Sequence, residues 1–264
     1  MDDLATFNRE RWNALVAAGV LYSRPALEMD EEKARQMVDE EALLGDVRGK
    51  RVLLLGGGGG QQSAAFGFLG SRVTVFDLSD GQLEKDRQVA AHYGYDLDIQ
   101  QGDMRDLARF ADASFDIVWQ PYSINFVPDV RPVFAGAARV VKPGGFYTVM
   151  WHNPFSQGVD DEQWTPEHGY PLKWPYTDGE IDPAIFTSVN WTFETESGEQ
   201  REVEGPREFR HTMRTFLNSL IASGFIIRRF SEHLTWDDNP TPGSWEHYKS
   251  VAPPYLTVWT VRGD

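Results

Sequence analysis

The chain has 264 residues, of which 41% are hydrophobic and 25% charged, and its formal net charge is −15 at pH 7. This composition is typical of a soluble globular protein; there is no cysteine for disulfides or thiolate metal sites, and no apolar run long enough to cross a membrane. The absence of cysteine fits a reducing cytoplasm, where we expect the protein to be. Because so acidic a surface repels nucleic acid and anionic lipid, we expect it to act on a small molecule or to meet a basic patch on a partner.

Two helical patterns precede the first strand. Apolar residues at helical spacing predict helices over Leu4–Val20 and Asp30–Leu44, with Asp30 as the N-cap of the second. These helices and the loop Val20–Pro25 between them either close over a ligand or pack against the edge of the domain.

An apolar run followed by five glycines is the centre of the sequence. Val52–Leu55 is bounded by charge before it and by Gly56–Gly60 after it, which predicts a central strand covered on both faces. A helix is predicted over Gln61–Leu69. A strand, a glycine turn and a helix start together present free backbone N–H groups to a polar ligand.

The spacing of the glycines narrows the choice of ligand. The dinucleotide pattern needs glycine at i, i+2 and i+5, and no starting glycine satisfies it; a P-loop needs Gly-Lys-Ser/Thr, which is absent. Glycine at i, i+2 and i+4, here Gly56, Gly58 and Gly60, resembles motif I of the class I S-adenosylmethionine-dependent methyltransferases. This resemblance implies that these three glycines and Gly57 bind S-adenosyl-L-methionine.

The second predicted strand, Ser71–Phe76, ends at Asp77, about 20 positions after the glycines. An acid at this place accepts hydrogen bonds from ribose hydroxyls. Leu78 can lie against the adenine ring, and Ser79 is predicted to cap the helix that follows.

The third and fourth predicted strands end in further candidate cofactor residues. After Leu97–Gln101, Asp103 can accept from the adenine amino group while Met104 packs on the ring, although an acid after glycine is also a common turn former. After Phe115–Trp119, Gln120 leaves the strand where the methionine end of the cofactor is expected.

Five motifs between Lys50 and Trp151 together carry a more specific resemblance. VLLLGGGGG, VTVFD, GDM, FDIVW and VKPGG, in this order and spacing, resemble the methyltransferase type 11 group, of which VKPGG is the distinctive turn. The resemblance implies a doubly wound, mostly parallel α/β sheet of seven strands in the order 3-2-1-4-5-7-6, with the last strand antiparallel and helices on both faces. It also implies methyl transfer from S-adenosyl-L-methionine to a small-molecule acceptor.

One residue departs from the motif. The family usually has an acid where this chain has Leu54, and that acid helps to hold the methionine end of the cofactor. The departure supports an alternative function, a protein that binds S-adenosylmethionine or S-adenosylhomocysteine without turnover. A nucleotide-dependent oxidoreductase is disfavoured by the glycine spacing.

The sequence beyond Trp151 is rich in proline and aromatic residues. Asn153–Thr187 is predicted to be an inserted cap and Val189–Val203 a hairpin. Arg210–Ser223 predicts a helix, and Phe225–His233 and Tyr255–Arg262 predict closing strands. We therefore expect a single domain over 1–264, with N-terminal helices over 1–46, a cofactor-binding core over 47–152, a substrate cap over 153–206, and the C-terminal helix and strands over 207–264.

Candidate acceptor residues lie at the end of the fifth predicted strand, Phe146–Trp151. His152 is the candidate base, should the acceptor have a proton to lose, with His211 and Glu232 as weaker candidates. Tyr122, Trp151 and Asn153 are expected to contact the acceptor. The cap with Trp164, Trp174 and Tyr176, the hairpin Val189–Val203 and the loop at Tyr22 are together expected to roof the cleft. The histidines show no spacing that indicates a metal site.

Overall fold

A computed structural model of the chain describes residues 1–181, 190–194 and 198–263. The predicted end of the cap, 182–187, and hairpin residues 195–197 lie outside the described residues.

The strands are β1 (Arg51–Leu55), β2 (Arg72–Asp77), β3 (Asp98–Gln101), β4 (Phe115–Gln120), β5 (Val141–His152), β6 (Gly179–Glu180), β7 (Asn190–Glu194), β8 (Gln200–Glu204), β9 (Phe209–Arg210), β10 (Phe225–Glu232) and β11 (Tyr255–Arg262). The helices are α1 (Asp3–Ala18), α2 (Glu31–Asp39), α3 (Gln62–Phe68), α4 (Asp80–Tyr93), α5 (Arg131–Val140), α6 (Met213–Ala222) and α7 (Trp245–Val251). None of the helices in these described ranges is long and apolar enough to span a lipid bilayer.

Seven strands form the central sheet in the order β3-β2-β1-β4-β5-β11-β10. Strand β11 runs antiparallel to both β5 and β10, and the pairs from β3 to β5 are parallel. Since β10 and β11 are the sixth and seventh strands of this sheet, the predicted order 3-2-1-4-5-7-6 with an antiparallel last strand is confirmed. Two small pairs, β6 with β9 and the hairpin β7–β8, lie outside it.

Strand β1 is buried on both faces, as its apolar run predicted. Leu53 and Leu55 belong to a core cluster shared with α5 and α6, while Val52 and Leu54 belong to a second cluster shared with α2 and α3. Alternate residues of a strand point to opposite faces, so a four-residue apolar run fills both cores.

Three details of the elements differ from the sequence predictions. Helix α2 ends at Asp39, because the Asp39 carboxylate accepts the backbone N–H groups of Leu43 and Leu44 and turns the chain. The predicted VKPGG turn lies inside β5, where Gly144 has a φ of 73° and the register to β4 shifts. Helix α7 was not predicted.

The parallel strands place their carboxyl ends along one edge of the sheet. Gly56 follows β1, Asp77 ends β2, Gly102 follows β3, Pro121 follows β4 and His152 ends β5. In doubly wound sheets ligands bind outside this edge, where the strand order reverses, here between β1 and β4.

Candidate functional site

A cavity of about 800 Å³ lies over this edge. Sites for small organic molecules usually have volumes of roughly 300–1,000 Å³, so the cavity is at the upper end of that range. The predicted site residues that line it are Gly56, Gly58, Asp77, Leu78, Asp103, Met104, Tyr122 and His152. Gly57, Gly60, Gln120, Trp151 and Asn153 are not among its lining residues.

The glycine turn forms one wall of the cavity and leaves no room for side chains. A Cβ on Gly56 would lie 2.6 Å from Ser123 Oγ, and a Cβ on Gly58 would lie 2.9 Å from Asp77 Oδ2. Because Gly56 and Gly58 line the cavity and have no side chain, a ligand can approach their backbone closely. This fits the S-adenosylmethionine that the resemblance implies.

Asp77 is tied to the turn by its own hydrogen bonds. Its carboxylate accepts the backbone N–H of Gly58 at 2.9 Å and that of Ser79 at 2.8 Å. Burial raises the pKa of Asp77, and these hydrogen bonds oppose that rise. Each carboxylate oxygen can accept more than one hydrogen bond, so Asp77 can still bind hydroxyl groups in the cavity.

A second acid, Asp86 of α4, lies beneath the turn and was missed by the sequence analysis. The N–H groups of Gly59 and Gly60 donate to its carboxylate at 3.1 and 3.2 Å, and Ser63 Oγ donates at 2.5 Å. Burial, with the nearby charge of Asp77, raises the pKa of Asp86 to about 7. Asp86 could have been identified from the sequence, because it is an acid on the buried face of the predicted helix that follows Ser79.

This arrangement accounts for Gly60 and Leu54. A Cβ on Gly60 would lie 2.9 Å from Lys85 O, so Gly60 is needed for packing against α4 rather than for lining the cavity. Leu54 is fully buried in the hydrophobic core. The chain therefore lacks the usual acid of β1, but the carboxylate of Asp86 approaches the turn from α4.

Asp103 and Gln120 are both engaged within the protein. Arg105 donates to Asp103 through its backbone N–H and its guanidinium, and the same guanidinium reaches Asp2 at the start of α1. Gln120 is fully buried, accepts from Tyr147 Oη at 2.5 Å and donates to Met104 Sδ at 3.2 Å. Gln120 thus supports Met104 from below the cavity.

Away from the glycine turn, the cavity contains a chain of three half-buried ionisable groups. Tyr122 Oη lies 2.9 Å from His152 Nδ1 and donates to Glu208 Oε2 at 3.3 Å. Burial, with the nearby charge of Arg210, lowers the pKa of His152 to about 3, so its imidazole is neutral at pH 7. Burial raises the pKa of Glu208 to about 7, against the hydrogen bond from Tyr122. Glu208 was not among the sequence candidates.

Trp151 and Asn153, expected at the acceptor, lie elsewhere. Side chains alternate along β5, so Met150 and His152 face the cavity while Trp151 stacks on Phe216 in the core with ring centroids 3.9 Å apart. The Asn153 amide donates to the Pro253 carbonyl and anchors the chain after β5.

The cap residues Trp164, Trp174 and Tyr176 and the weaker base candidates His211 and Glu232 also lie outside the cavity lining, whereas Tyr22 lines it as expected. Trp164 packs on His247, and Tyr176 Oη accepts the N–H of Met213. His211 is buried, and Glu232 is exposed at the end of β10.

Four aromatic residues, of which only Tyr22 had been singled out from the sequence, form a wall of the cavity. Trp12 of α1 meets Phe126 and Trp191 edge to face, with ring centroids 5.2 and 5.6 Å away, and Tyr22 meets Trp191 at 6.1 Å. All four rings line the cavity. They come from α1, the loop after it, the turn after β4 and the hairpin.

Comparisons with known proteins agree with the fold and with the family resemblance. A family described as a methyltransferase domain matches residues 53–149. The uncharacterized methyltransferase YbaJ of Bacillus subtilis is 33% identical over 186 residues, which are 70% of this chain and 69% of that protein. A ubiquinone biosynthesis O-methyltransferase of Hahella chejuensis is 35% identical over 121 residues, 45% of this chain and 50% of the relative. The match thus spans about half the length of that relative.

A solved structure shares the architecture across most of the chain. The S-adenosylmethionine-dependent methyltransferase from Mesorhizobium loti superposes with a TM-score of 0.67 at 22% identity, covering 90% of this chain and all of that one.

Proposed function

This chain belongs to the type 11 group of class I S-adenosylmethionine-dependent methyltransferases, and from that premise we propose that its methyl acceptor is a small, largely apolar molecule. The observation that carries the proposal is the continuity of the cavity, which runs from Asp77 at the glycine turn to the ring of Trp191. A site enclosed by α1 and the hairpin favours a compact molecule over a polymer.

S-adenosylmethionine, when bound, supplies an electrophilic methyl group on a sulfonium sulfur. The protein has to bind it, align the acceptor and exclude water. We assign cofactor binding to Gly56, Gly58, Asp77, Leu78 and Met104. Asp103 is a weaker candidate for the adenine amino group, because its carboxylate is already held by a guanidinium.

The acceptor half supports the same proposal by its composition. The segment 153–206 is proposed as a substrate cap, with Gln157, Trp191 and Gly205 among its cavity residues. Large rings give binding area at low entropic cost, and a few polar groups orient the ligand. The name of the ubiquinone biosynthesis relatives also indicates a small-molecule substrate for those proteins.

The alternative of cofactor binding without turnover is not favoured. Its motivation was the missing acid at Leu54, and the turn next to Leu54 is held by Asp86 instead. The family match and the named relatives are those of methyltransferases.

Calorimetry and a turnover assay test the proposal in two steps. S-adenosylhomocysteine should bind, and NAD and ATP should not. Methyl transfer should then be found with members of a panel of small aromatic and aliphatic metabolites, detected as released S-adenosylhomocysteine. Tight binding of NAD without any response to S-adenosylhomocysteine would contradict the assignment, and activity restricted to a protein or nucleic-acid substrate would contradict the small-molecule acceptor.

A further inference from the structure

Glu208 differs from Glu180 and Glu204, the other glutamates that line the cavity, in its charged neighbours. Glu180 forms an ion pair with Arg207 at 3.5 Å, and Glu204 forms one with Arg11. Within residues 1–181, 190–194 and 198–263, no ion pair reaches the Glu208 carboxylate. Burial of a carboxylate without a neighbouring cation disfavours its charged form and costs folding free energy. Carboxyl groups in such surroundings are often functional.

The position of Glu208 is fixed by its neighbours. Its backbone carbonyl accepts the N–H of Ile181 at 2.9 Å, and the next residue, Phe209, pairs with Glu180 between β9 and β6. Its carboxyl accepts from Tyr122 Oη and is partly exposed to the cavity. Glu208 is therefore held in place while one side of its carboxyl faces the space for a ligand.

Two consecutive residues, Tyr122 and Ser123, connect Glu208 to the start of the glycine turn. Tyr122 lies between Pro121 and Ser123, and Ser123 Oγ donates to the Leu55 carbonyl just before the turn. A group bound beside Tyr122 would thus lie between the acid and the place where the cofactor is proposed to bind.

We infer that Glu208 takes up the proton of the methyl acceptor, and that the acceptor is a hydroxyl group on an aromatic ring; this inference rests on the function proposed above. A hydroxyl must lose its proton during transfer and so requires a base, whereas a neutral amine can attack before it loses one. The edge-to-face rings of Trp12, Phe126 and Trp191 form a wall suited to a flat ring.

The pKa values of Glu208 and His152 also favour Glu208 as the base. The pKa of Glu208 is raised to about 7 by burial, and a phenolic hydroxyl such as that of tyrosine has a pKa of about 10. A base whose pKa lies near the working pH is the most effective for such a proton transfer. His152 is a weaker base, because its pKa is lowered to about 3.

The methyl transfer needs only the methyl donor, the acceptor and these protein groups. The acceptor oxygen forms a bond to the methyl carbon as the carbon–sulfur bond breaks and its electron pair returns to sulfur. The hydroxyl proton passes to the Glu208 carboxylate. The new O–H of Glu208 can then donate to Tyr122 Oη, whose own proton turns towards His152 Nδ1, so no charged histidine is formed.

The test compares Glu208→Gln with the wild-type enzyme on a panel of hydroxybenzenes and the matching anilines and thiophenols. The Gln side chain keeps an acceptor for Tyr122 but cannot take up a proton. We expect wild-type turnover on hydroxybenzenes, and a fall in kcat of roughly 100- to 10,000-fold in the variant. Glu84→Gln, the same change at an exposed position of α4, should behave as wild type.

A pH profile and an acidity series identify the role of Glu208. Wild-type kcat should rise through about pH 7 as Glu208 ionises, and this rise should vanish in the Gln variant. The kcat of the variant should return towards the wild-type value on nitro-substituted phenols that are already ionised at the assay pH, because those acceptors have no proton to lose.

The outcomes separate this inference from the proposed function. If neither protein binds S-adenosylhomocysteine, the proposed function fails. If the wild type binds it and methylates only anilines or thiophenols, or no hydroxybenzene in the panel, the hydroxyl acceptor is wrong. If Glu208→Gln, folded by its melting curve and binding S-adenosylhomocysteine normally, keeps full activity on weakly acidic phenols, Glu208 is not the base.

Discussion

Three acids around the cavity, Asp77, Asp86 and Glu208, are enclosed by protein, yet their neighbours differ. Asp77 and Asp86 accept backbone N–H groups of the glycine turn, which favour the charged form. Among the residues that the structure describes, the Glu208 carboxylate accepts from a tyrosine hydroxyl and from no backbone N–H. Hydrogen bonds to a carboxylate and burial shift its pKa in opposite directions. The backbone donors hold Asp77 and Asp86 in place at the turn, whereas the Glu208 carboxyl has no such donors among the described residues.

Replacing Asp77 with alanine should weaken binding of S-adenosylhomocysteine. Hydrogen bonds to a charged group contribute roughly 1.5–3 kcal/mol, which corresponds to a rise in Kd of about 10- to 150-fold. Calorimetry measures the change. Asp96→Ala, at an exposed position after α4, is the matched control and should leave Kd unchanged. An unaltered Kd in folded Asp77→Ala would remove Asp77 from the cofactor site.

Asp86 should make the stability of the protein depend on pH. Its pKa is raised from 3.8 to about 7 in the folded state, so between these values the folded state binds more protons than the unfolded state. The stabilisation by this proton is complete below pH 3.8 and is lost as pH rises through about 7, at up to ~1.4 kcal/mol per pH unit.

The variant Asp86→Asn isolates that effect. Asparagine does not titrate, so the loss of stability between about pH 4 and pH 7 should be smaller in the variant than in the wild type. Denaturant unfolding at several pH values measures the difference. Glu208→Gln serves as the comparison because the pKa of Glu208 is raised over the same range. Equal slopes in wild type and Asp86→Asn would show that Asp86 does not titrate in this window.

At the scale of elements, the hairpin β7–β8 brings Trp191 to the cavity. A Cβ on Gly205 would lie 2.5 Å from Trp191 Nε1, so the indole packs directly on the backbone that follows β8. The position of the Trp191 indole therefore depends on the absence of a side chain at Gly205.

Trp191→Ala should impair acceptor binding and leave cofactor binding intact. Loss of an aromatic anchor costs roughly 1–2 kcal/mol, a five- to thirtyfold rise in the KM of the acceptor. Gly205→Ala should act in the same direction by displacing the indole. Trp236→Ala is the control, since Trp236 is 91% exposed. A large change in the Kd of S-adenosylhomocysteine with an unchanged KM would assign Trp191 to the cofactor half instead.

At the scale of the molecule, local patterns in the sequence predicted the sheet but only part of the site. The strand order could be predicted because the five motifs together resemble the type 11 group, and that resemblance implies the order of its sheet. Trp12, Trp191 and Glu208 could not be placed, because they reach the cavity through contacts between distant segments. The cap tryptophan Trp164 was placed wrongly, since composition does not say which face a loop residue occupies.

Helix α1 connects the two halves of the site. Asn13 accepts from Ser79 Oγ at 2.6 Å and donates to Asp80 at 2.9 Å, which holds α1 to the start of α4 on the cofactor side. Asn8 accepts the Arg207 N–H at 2.8 Å and donates to the carbonyls of Phe126 and Arg207 on the acceptor side. A change that loosens α1 should therefore affect both halves.

Asn8→Ala tests this connection. Asn8 is 2% exposed, and removing its amide leaves buried backbone groups unpaired at a cost of roughly 1–3 kcal/mol. We expect faster hydrogen exchange in α1 and in residues 204–208, together with a raised acceptor KM and a raised Kd for S-adenosylhomocysteine. Asn218→Ala, at an exposed position of α6, is the matched control. If exchange rose in α1 while both binding constants stayed at their wild-type values, α1 would be a passive cover and not a link between the two halves.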